Sequence, residues 1–453
     1  MLLRLIAHAN RDESSYHSAD KLSLERLVQP MSDTENKIPE RSDVVIVGGG
    51  IAGISAAWYL NQAGIEVTVC EKGRIAGEQS SRNWGWIRQQ GRDRAELPIV
   101  MESMRLWQQI ADQLDTDIGY RREGSLYLCE NDAEMANHDR FMAFAPDHGL
   151  GTRRLNRKQL EAVMPECPAR WQSALHTPDD GRAEPSLAVP AMSKSLAQRG
   201  VRIVENCAVE QILTQNQRVT GVLSEHGEIG TSTVLCAGGA WSTFLLKRCG
   251  IRLPQLTVKA SVARTAPAPL LFNGNASGSK LSFRRRLDGG YSVASSDYLE
   301  IFPSRAHLAF LPDFLPLIKT SWRKFRFRIP ELTVDEDFTR QRVLNPIPSA
   351  KTVARIRARL ADRVPALAGI ELAEAWSGMI DALPDVVPVL DRADTLAGLW
   401  ITTGFSGHGF GIGPAAGKIM AALIQGQRVE YDLARFRLSR FSDGSKLELG
   451  PAI

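Results

Sequence analysis

Residues 43–71 read DVVIVGGGIAGISAAWYLNQAGIEVTVCE. The stretch opens with VVIV, a short apolar and β-branched run that is typical of a strand buried on both faces of a parallel sheet. Gly48, Gly50 and Gly53 follow with G-x-G-x-x-G spacing, and small and apolar residues from Ile51 onwards predict a helix. In this pattern a pyrophosphate lies against the N-terminus of the helix, so the stretch predicts a dinucleotide site.

An acidic residue at the end of the second predicted strand supports the same interpretation. Glu71 follows the run IEVTVC and lies about 20 residues after Gly50, the distance expected of an acid that bonds a ribose hydroxyl. A carboxylate at this point disfavours a 2′-phosphate. The glycine spacing alone also occurs in ordinary turns, but strand, helix and acid together favour the dinucleotide site.

The composition is that of a soluble globular protein. The chain has 453 residues, of which 43% are hydrophobic and 23% charged, and this length predicts more than one domain. The formal net charge of +4 gives no reason to expect a nucleic-acid partner, and we expect no membrane span. Six cysteines without C-x-x-C spacing predict buried thiols and a cytoplasmic location. Eight histidines show no ligand spacing with cysteines or acids, so no metal site is expected.

The N-terminal segment is set apart from this globular pattern. Residues 1–41 are predicted to be a disordered extension, because they are largely polar and lack a sustained period. Met31 is followed by an ordinary lead-in to the first strand, so both Met1 and Met31 are candidates for the natural start.

Three further segments carry a resemblance to a known family. They are the loop after Glu71, with Ser80, Ser81 and Trp84; residues 233–242, TVLCAGGAWS; and residues 404–414, GFSGHGFGIGP, before a helix predicted over Ala415–Ile424. With the first glycine turn, they resemble the glycine/D-amino acid oxidase-like flavoproteins, which include sarcosine and D-amino acid oxidases. The resemblance covers most of residues 42–442.

The resemblance implies that the cofactor is FAD. Some relatives attach FAD through a His in the loop after the acid or a Cys before the final strand. This chain has no His between Gly73 and Pro98 and no Cys between Trp376 and Trp400, so non-covalent FAD is expected. The implied cofactor-binding residues are Gly48, Gly50, Ile51, Ala52, Gly53, Glu71, Lys72, Ser80, Ser81, Trp84, Val209, Ala237, Gly238, Trp241, Gly404, Ser406, Gly407, His408 and Gly409.

The implied fold is α/β, α+β overall, in which a Rossmann-like FAD-binding domain carries an inserted antiparallel or mixed β-sheet substrate domain. The predicted FAD-binding segments are residues 42–120, 181–252 and 371–442. The predicted substrate-domain segments are 121–180 and 253–370, and residues 443–453 are a C-terminal tail.

The implied chemistry is oxidation of the C–N bond of an amino acid or N-substituted amino acid. In this family a neutral amine passes a hydride to flavin N5, and water hydrolyses the resulting imine. The substrates usually carry a carboxylate, which calls for arginine because its planar fork accepts two oxygens. The candidates are Arg82 and Arg88 in the flavin loop, and Arg284 and Arg286, which alternation places on one face of a strand. The presence of several arginines near the predicted site slightly favours an acidic substrate, such as an iminodiacid, an opine or an acyl-type secondary amine.

Three other candidates have alternative roles. Tyr291 either helps at the site or is a sheet aromatic; His408 either carries charge near flavin O2 or orders its loop; and Asp381 either positions an amine or caps a turn. Sarcosine oxidases also carry an oxygen-activating lysine, on the strand that matches 290–294. No lysine occurs there, and Lys259 lies on another predicted strand. The acceptor is therefore either O2 or a quinone or partner acceptor.

Two alternative functions are consistent with the first glycine motif. One is an NAD(P)H-dependent flavin hydroxylase, against which the segment 404–414 argues. The other is a non-catalytic FAD-binding subunit, whose bound flavin no amine would reduce.

Overall fold

The computed structural model describes residues 37–295, 299–301, 309–321, 325–327 and 339–450. The predicted N-terminal extension lies almost wholly outside these residues. The elements below belong to the unit that begins at Ile38.

Helices and strands alternate over the first 70 described residues, and three consecutive strands precede the last helix. The helices are α1 (Ile51–Gln62), α2 (Gln79–Arg82), α3 (Leu97–Asp112), α4 (Asp132–Ala136), α5 (Asp139–Met142), α6 (Arg157–Val163), α7 (Pro185–Gln198), α8 (Ser242–Arg248), α9 (Leu315–Ser321), α10 (Ala350–Arg363) and α11 (Gly409–Ile424). The strands are β1 (Val44–Val47), β2 (Val67–Cys70), β3 (Trp86–Ile87), β4 (Arg121–Arg122), β5 (Ser125–Cys129), β6 (Arg153–Asn156), β7 (Ser173–Thr177), β8 (Gly181–Arg182), β9 (Arg202–Val204), β10 (Val209–Gln215), β11 (Arg218–Ser224), β12 (Gly227–Gly230), β13 (Val234–Cys236), β14 (Leu256–Thr265), β15 (Asn275–Ser277), β16 (Ser282–Arg285), β17 (Tyr291–Ala294), β18 (Leu299–Ile301), β19 (Phe325–Phe327), β20 (Leu372–Ala382), β21 (Val389–Arg392) and β22 (Leu399–Thr403).

The first sheet has six strands in the order β21-β22-β13-β1-β2-β9. All neighbouring strands are parallel except β21 and β22, which are antiparallel. The chain leaves β1 towards β2 on one side and returns to β13 on the other, so the strand order reverses between β1 and β13. Ligands of such sheets bind beyond the carboxyl ends of the strands at this reversal.

Two helices cover the centre of this sheet. Buried small and apolar residues of α1, including Ile54 and Trp58, pack against α11. The helices approach closely at Gly417, where an added Cβ would lie 2.4 Å from the backbone carbonyl carbon of Ser55. Because α11 is packed against α1, the N-termini of both helices are held near the reversal point.

The second large sheet has ten strands and is mixed. Its main path runs β19-β18-β14-β17-β16-β15-β5-β7-β6, and β20 pairs with β14 in antiparallel register from Leu256↔Ala382 to Thr265↔Leu372. Two smaller sheets have three strands each. One is antiparallel in the order β3-β8-β4, and the other is antiparallel in the order β10-β11-β12.

The strands of the six-stranded sheet come from the three segments assigned to FAD binding. The boundary at residue 370 meets a shared strand, however, because β20 lies in the last of those segments and pairs with β14 of the ten-stranded sheet. The final helix also differs from the prediction, because α11 begins at Gly409 rather than Ala415 and contains Pro414. Its first turn therefore belongs to the glycine-rich signature itself.

The described residues contain neither a candidate membrane span nor a candidate metal cluster. No described helix has both the length and the apolar character that crossing a bilayer requires. No group of three or more His, Cys, Asp or Glu residues in the described part of the chain could hold a metal ion.

Candidate active site

Two cavities adjoin at the carboxyl ends of β1 and β13. The smaller cavity is lined chiefly by residues 47–50, 70–80 and 237–242, together with Val209. The larger cavity is lined chiefly by residues 79–92, 378–381 and 402–410, and by Ala260 and Val262 of β14. Gly50, Gln79, Ser80, Ala237 and Gly239 line both cavities. An elongated ligand can therefore extend from one to the other past the glycine turn.

The glycine turn is shaped by close backbone contacts. Gly48 has a φ of +114°, and a Cβ on it would lie 2.4 Å from the carbonyl oxygen of Ala237, so no larger residue fits. Gly50 precedes α1, and a Cβ there would meet only the Oγ of Ser80, at 3.1 Å. The missing side chain of Gly50 leaves the passage between the cavities open at the N-terminus of α1, where a phosphate is favoured.

Glu71 presents a fixed carboxylate to the smaller cavity. Its Oε2 accepts a hydrogen bond from the N–H of Gly49 at 2.7 Å, and its Oε1 accepts one from the N–H of Gly73, also at 2.7 Å. Burial raises the pKa of Glu71 to about 7, although both backbone bonds oppose that shift. The backbone therefore holds the carboxylate in place, and its remaining lone pairs can accept bonds from ribose hydroxyls.

Lys72 and Trp241 form the next part of the same wall. The Nζ of Lys72 lies 3.0 Å from the centroid of the Trp241 ring and donates to the carbonyl of Gln341 at 2.7 Å. The indole Nε1 of Trp241 donates to Oε1 of Glu78 at 3.0 Å. These contacts fix the ring beside the glycine turn that follows β13.

Asp381, at the end of β20, holds the loop of the third signature. Its Oδ2 accepts the N–H of Gly404 at 2.9 Å, and its carbonyl accepts the N–H of Ser406 at 3.0 Å. The support matters most at Ser406, a non-glycine residue with a φ of +50°, whereas Gly404 and Gly407 adopt their positive φ values freely. Burial raises the pKa of Asp381 to about 6. Asp381 also lines the larger cavity, so turn capping and amine positioning are compatible.

His408 ends that loop and precedes α11. Its ring is buried in the wall of the larger cavity, and its Nδ1 lies 3.8 Å from Oε1 of Glu96. Burial, with a smaller contribution from Arg92, lowers the pKa of His408 to about 4. The imidazole is therefore neutral near pH 7 in this environment, which disfavours the charged role considered from the sequence.

Arg82 and Arg88 both line the larger cavity, but they differ in their use of donors. Arg82 donates to the carbonyls of Gly77 and Ser377 and to the side chain of Asn345, so its guanidinium is largely occupied. Arg88 donates through Nη1 to the carbonyl of Gln90 and to the hydroxyl of Tyr127. Within the described chain, Nε and Nη2 of Arg88 have no acceptor. Arg88 is thus the predicted arginine best placed to bind a carboxylate in this cavity.

The prediction that Arg284, Arg286 and Tyr291 act at the site is not supported by their positions. None of the three is among the described residues that line either cavity. Arg284 is 1% exposed and makes two bonds, of 2.8 and 3.0 Å, to the carboxylate of Glu184. Arg286 also approaches Glu184, at 3.6 Å. The alternation argument correctly placed both arginines on one face, but that face meets Glu184 rather than the cavity.

Tyr291 is an aromatic residue of the sheet, which is the alternative role considered from the sequence. Its ring is fully buried in the ten-stranded sheet, and its hydroxyl accepts the N–H of Leu271 at 2.8 Å and donates to the carbonyl of Pro269 at 3.3 Å. Both bonds are structural, so Tyr291 stabilises the loop before β15.

Most of the predicted cofactor-binding residues line one of the two cavities. Those on the smaller cavity are Gly48, Gly50, Glu71, Lys72, Ser80, Val209, Ala237, Gly238 and Trp241. Those on the larger cavity are Gly50, Ile51, Ala52, Ser80, Trp84, Ala237, Ser406, Gly407, His408 and Gly409. Gly53, Ser81 and Gly404 are not among the described residues that line either cavity.

Several residues of the larger cavity were not predicted. Gln79, Asn83, Trp86, Arg92, Ile380 and Phe405 are among its lining residues. Gln79 and Asn83 lie in the loop after Glu71 that resembles the family, so the resemblance could have predicted them. Arg92 lies further along the same loop in a polar stretch, where nothing in the sequence separates a cavity arginine from a surface arginine.

The residues present fit FAD. The smaller cavity combines an open glycine turn, a helix N-terminus and the fixed carboxylate of Glu71, which suit a pyrophosphate and an adenosine ribose. The larger cavity has aromatic and apolar walls from Trp84, Ile380 and Phe405, which suit a planar ring. The N-terminus of α11 faces this ring site and favours negative charge there.

Comparisons with known proteins agree with this geometry. Residues 43–423 match the family model described as DAO, FAD dependent oxidoreductase. The sarcosine oxidase subunit beta of Arthrobacter sp is 24% identical over 422 residues, which cover 91% of this chain and 94% of that protein. The glycine oxidase of Pseudomonas aeruginosa is 24% identical over 406 residues, which cover 87% of this chain and 97% of that protein.

A solved structure resembles the whole fold. The L-amino acid deaminase from Proteus myxofaciens superposes with a TM-score of 0.85 at 27% identity, covering 91% of this chain and 96% of that one. With the family match, the fit of both cavities to FAD and the topology of the two large sheets, this similarity establishes that the chain is a member of the DAO family of FAD-dependent oxidoreductases.

Proposed function

We propose that this enzyme oxidises the C–N bond of an amino acid or N-substituted amino acid whose carboxylate is bound by Arg88. The observation that carries the proposal is a guanidinium with uncommitted donors on the wall of the cavity that adjoins the dinucleotide site. A planar fork of N–H donors binds a carboxylate through two parallel bonds, which fixes the orientation of the attached carbon.

Arg88 is itself held in place. Its Nη1 is bonded to the carbonyl of Gln90 and to the hydroxyl of Tyr127, and its guanidinium carbon lies 5.5 Å from the centroid of Trp86. A guanidinium restrained on one side loses little freedom when it binds an anion on the other. Tyr127 therefore acts as a positioning residue for Arg88.

Apolar side chains form most of the rest of the cavity wall. Trp84, Trp86, Ile380 and Phe410 present apolar surface, which excludes water from a bound amine. Bound FAD would supply the oxidising chemistry by accepting a hydride from the carbon next to the nitrogen. Burial lowers the pKa of His408 to about 4, which keeps its imidazole neutral near pH 7, and Asp381 holds the loop by accepting the N–H of Gly404.

The electron acceptor is part of the test. On β14, Ala260 and Val262 line the larger cavity, whereas Lys259 immediately precedes Ala260 on the strand and has its Nζ 3.7 Å from Oε2 of Glu300. Lys259 is not among the described lining residues, so it does not replace the oxygen-activating lysine of sarcosine oxidases. The enzyme is therefore proposed to use O2 or another acceptor that the experiment identifies.

The decisive experiment follows flavin absorbance of the purified protein without oxygen. D- and L-amino acids, N-methyl and N-carboxymethyl amino acids, and opines are added in turn, and one class is expected to bleach the flavin. Air is then readmitted, and rapid recolouring identifies O2 as an acceptor. Bleaching by NAD(P)H but by no amine would favour a flavin hydroxylase. Flavin that neither donor bleaches would favour a non-catalytic FAD-binding subunit.

We also propose a cytoplasmic location for the enzyme. All six cysteines are free thiols, and five of them are buried. A chain that keeps unpaired thiols suits a reducing compartment. Fractionation of cells that produce the tagged full-length chain tests the location.

A further inference from the structure

A second arginine, Arg92, lies on the wall of the larger cavity. It is 6% exposed, and its Nε donates to the carbonyl of Arg88 at 3.3 Å. Its Nη1 is buried and has no hydrogen-bond partner in the described part of the chain. Arg92 was not predicted from the sequence, and neither cofactor binding nor carboxylate binding by Arg88 uses it.

The charge of Arg92 lacks a close counter-ion. Within the described residues, no carboxylate lies within 4.0 Å of its guanidinium nitrogens. Burial, followed by repulsion from Arg88, lowers the pKa of Arg92 to about 10, so the group is still a cation near pH 7. A buried charge with no ion-pair partner within 4.0 Å is costly, and an anionic ligand in the cavity would offset that cost.

The acidic groups near Arg92 do not fill that role. Both carboxylate oxygens of Asp180 accept backbone N–H groups, from Gln89 at 2.7 Å and from Gln90 at 3.4 Å. Glu96 is fully buried, and neither of its oxygens has a hydrogen-bond partner in the described chain. Glu96 offsets part of the Arg92 charge from beyond ion-pair distance, and its Oε1 lies 3.8 Å from Nδ1 of His408, whose ring is neutral near pH 7.

Arg88 and Arg92 therefore place two guanidinium groups on one cavity. The carboxylate of an ordinary amino acid satisfies one of them. We propose that Arg92 is a second anion site, and that the enzyme prefers substrates with a second carboxylate beyond the one that Arg88 binds, such as N-carboxyalkyl amino acids. This inference rests on the proposed function, whose substrate class it narrows.

The test uses two unreactive ligands in which sulfur replaces the amine nitrogen. Thiodiacetate carries two carboxylates, and methylthioacetate carries one. Dissociation constants are measured on the FAD-bound full chain from the perturbation of flavin absorbance, with calorimetry as a second readout. The wild-type enzyme is expected to bind thiodiacetate about ten- to a hundredfold more tightly, the range expected for one charge-assisted bond.

The variants separate recognition from structural support. Arg92→Met should abolish the preference for thiodiacetate and change the affinity for methylthioacetate by less than about threefold. Arg92→Lys keeps the charge and should retain part of the preference, and it serves in place of Arg92→Met if that variant fails to fold. Equal binding of the two ligands by the wild-type enzyme, or an equal loss for both ligands in a folded variant, would overturn the proposal.

The two proposals fail in different ways. If no amine bleaches the flavin, the proposed function fails, while the ligand titrations still show whether Arg92 selects a diacid. If amines bleach the flavin but the two ligands bind equally, only the role of Arg92 fails.

Discussion

Arg88 and Arg82 show that a cavity position alone does not make an arginine a ligand-binding residue. Arg82 lies on the same wall, but its donors are used by Gly77, Asn345 and Ser377. Arg88 keeps Nε and Nη2 without acceptors in the described chain. The number of uncommitted donors, rather than proximity, therefore separates the two candidates.

Replacing Arg88 with methionine should raise the dissociation constant of methylthioacetate about ten- to a hundredfold, because one charge-assisted pair is lost. Flavin absorbance titration measures this constant. Arg122→Met is a matched control, since Arg122 is exposed and pairs with Asp179 on the surface, and its effect should be below about twofold. An unchanged constant in Arg88→Met would exclude Arg88 as the carboxylate ligand.

His408 should make stability depend on pH in a defined direction. Its pKa is about 4 in the folded chain and about 6.5 when unfolded, so between these values the unfolded chain binds more protons. The contribution of His408 to the free energy of unfolding should therefore rise with pH over this window, by up to about 1.4 kcal/mol per pH unit, whereas the raised pKa values of Glu71 and Asp381 act in the opposite direction. Denaturant titrations at pH 5 and 7.5, with saturating FAD, measure the slope. His408→Gln should reduce it, and an unchanged slope would contradict the neutral assignment.

At the scale of elements, the loop of residues 404–408, between β22 and α11, is held by β20, a strand of the ten-stranded sheet. Asp381 ends β20 and accepts the N–H of Gly404, while the carbonyl of Asp381 accepts the N–H of Ser406. This loop is thus hydrogen-bonded to the ten-stranded sheet, although β22 before it belongs to the six-stranded sheet and α11 after it packs against α1 on that sheet.

Asp381→Ala should lower FAD affinity, because the loop loses the acceptor that stabilises its positive φ angles. Fluorescence titration of the apoprotein with FAD is expected to show a dissociation constant about tenfold higher, the effect of roughly one hydrogen bond to a charged group. Asp381→Asn keeps an oxygen acceptor and should lose less. If alanine and asparagine behave alike, the carboxylate acts through its charge and not through the loop.

The ion pair between Arg284 and Glu184 links β16 to the start of α7. Burial alone would raise the pKa of Glu184, but the Arg284 guanidinium lowers it to about 2. Arg284→Met should destabilise the fold by about 3–5 kcal/mol, because it leaves a buried carboxylate without its partner. Denaturant unfolding measures the loss, and replacing Glu184 by glutamine as well should recover part of it.

The same variant checks the position of Arg284. Any folded Arg284→Met protein should bind methylthioacetate as the wild type does, within about threefold, because Arg284 is not a described lining residue of either cavity. A loss of affinity comparable with that of Arg88→Met would restore Arg284 as a substrate ligand.

For the whole molecule, the cofactor should be removable without breaking a covalent bond. Precipitation of the holoenzyme by acid should leave a colourless pellet and a yellow supernatant, because no His or Cys lies in the two segments that carry covalent flavin in relatives. Absorbance of both fractions is the measurement. Yellow colour that stays with the pellet would show a covalent link elsewhere.

The predicted family, α/β fold and FAD cofactor are confirmed. They could be predicted because the features that indicate them lie in short, contiguous stretches of sequence. Backbone groups of short contiguous segments build the dinucleotide site, so Gly48, Gly50 and Glu71 carry a signal that can be read in sequence order. The substrate side is built from side chains of distant strands. Arg284 was misplaced because the side of the sheet that it meets depends on Glu184, one hundred residues away.

Arg92 and Glu96 had no comparable signal. They lie four residues apart in the segment just before α3, with Glu96 immediately preceding the helix, in a stretch that reads as polar surface. Their burial follows from the packing of α3 against α11, which only the tertiary fold determines. Residues whose role depends on such packing cannot be recognised by residue type and spacing.

The strand β20 has a consequence for recombination between relatives. A chimera that exchanged residues 253–370 alone would join a foreign β14 to the native β20 along ten register pairs, from Leu256↔Ala382 to Thr265↔Leu372. An exchange that continues to residue 382 would keep that pairing intact, but would bring in a foreign partner for the loop at Gly404. The segment predicted to form the substrate domain therefore cannot be exchanged as one module without breaking a contact of β20, either with β14 or with the loop at Gly404.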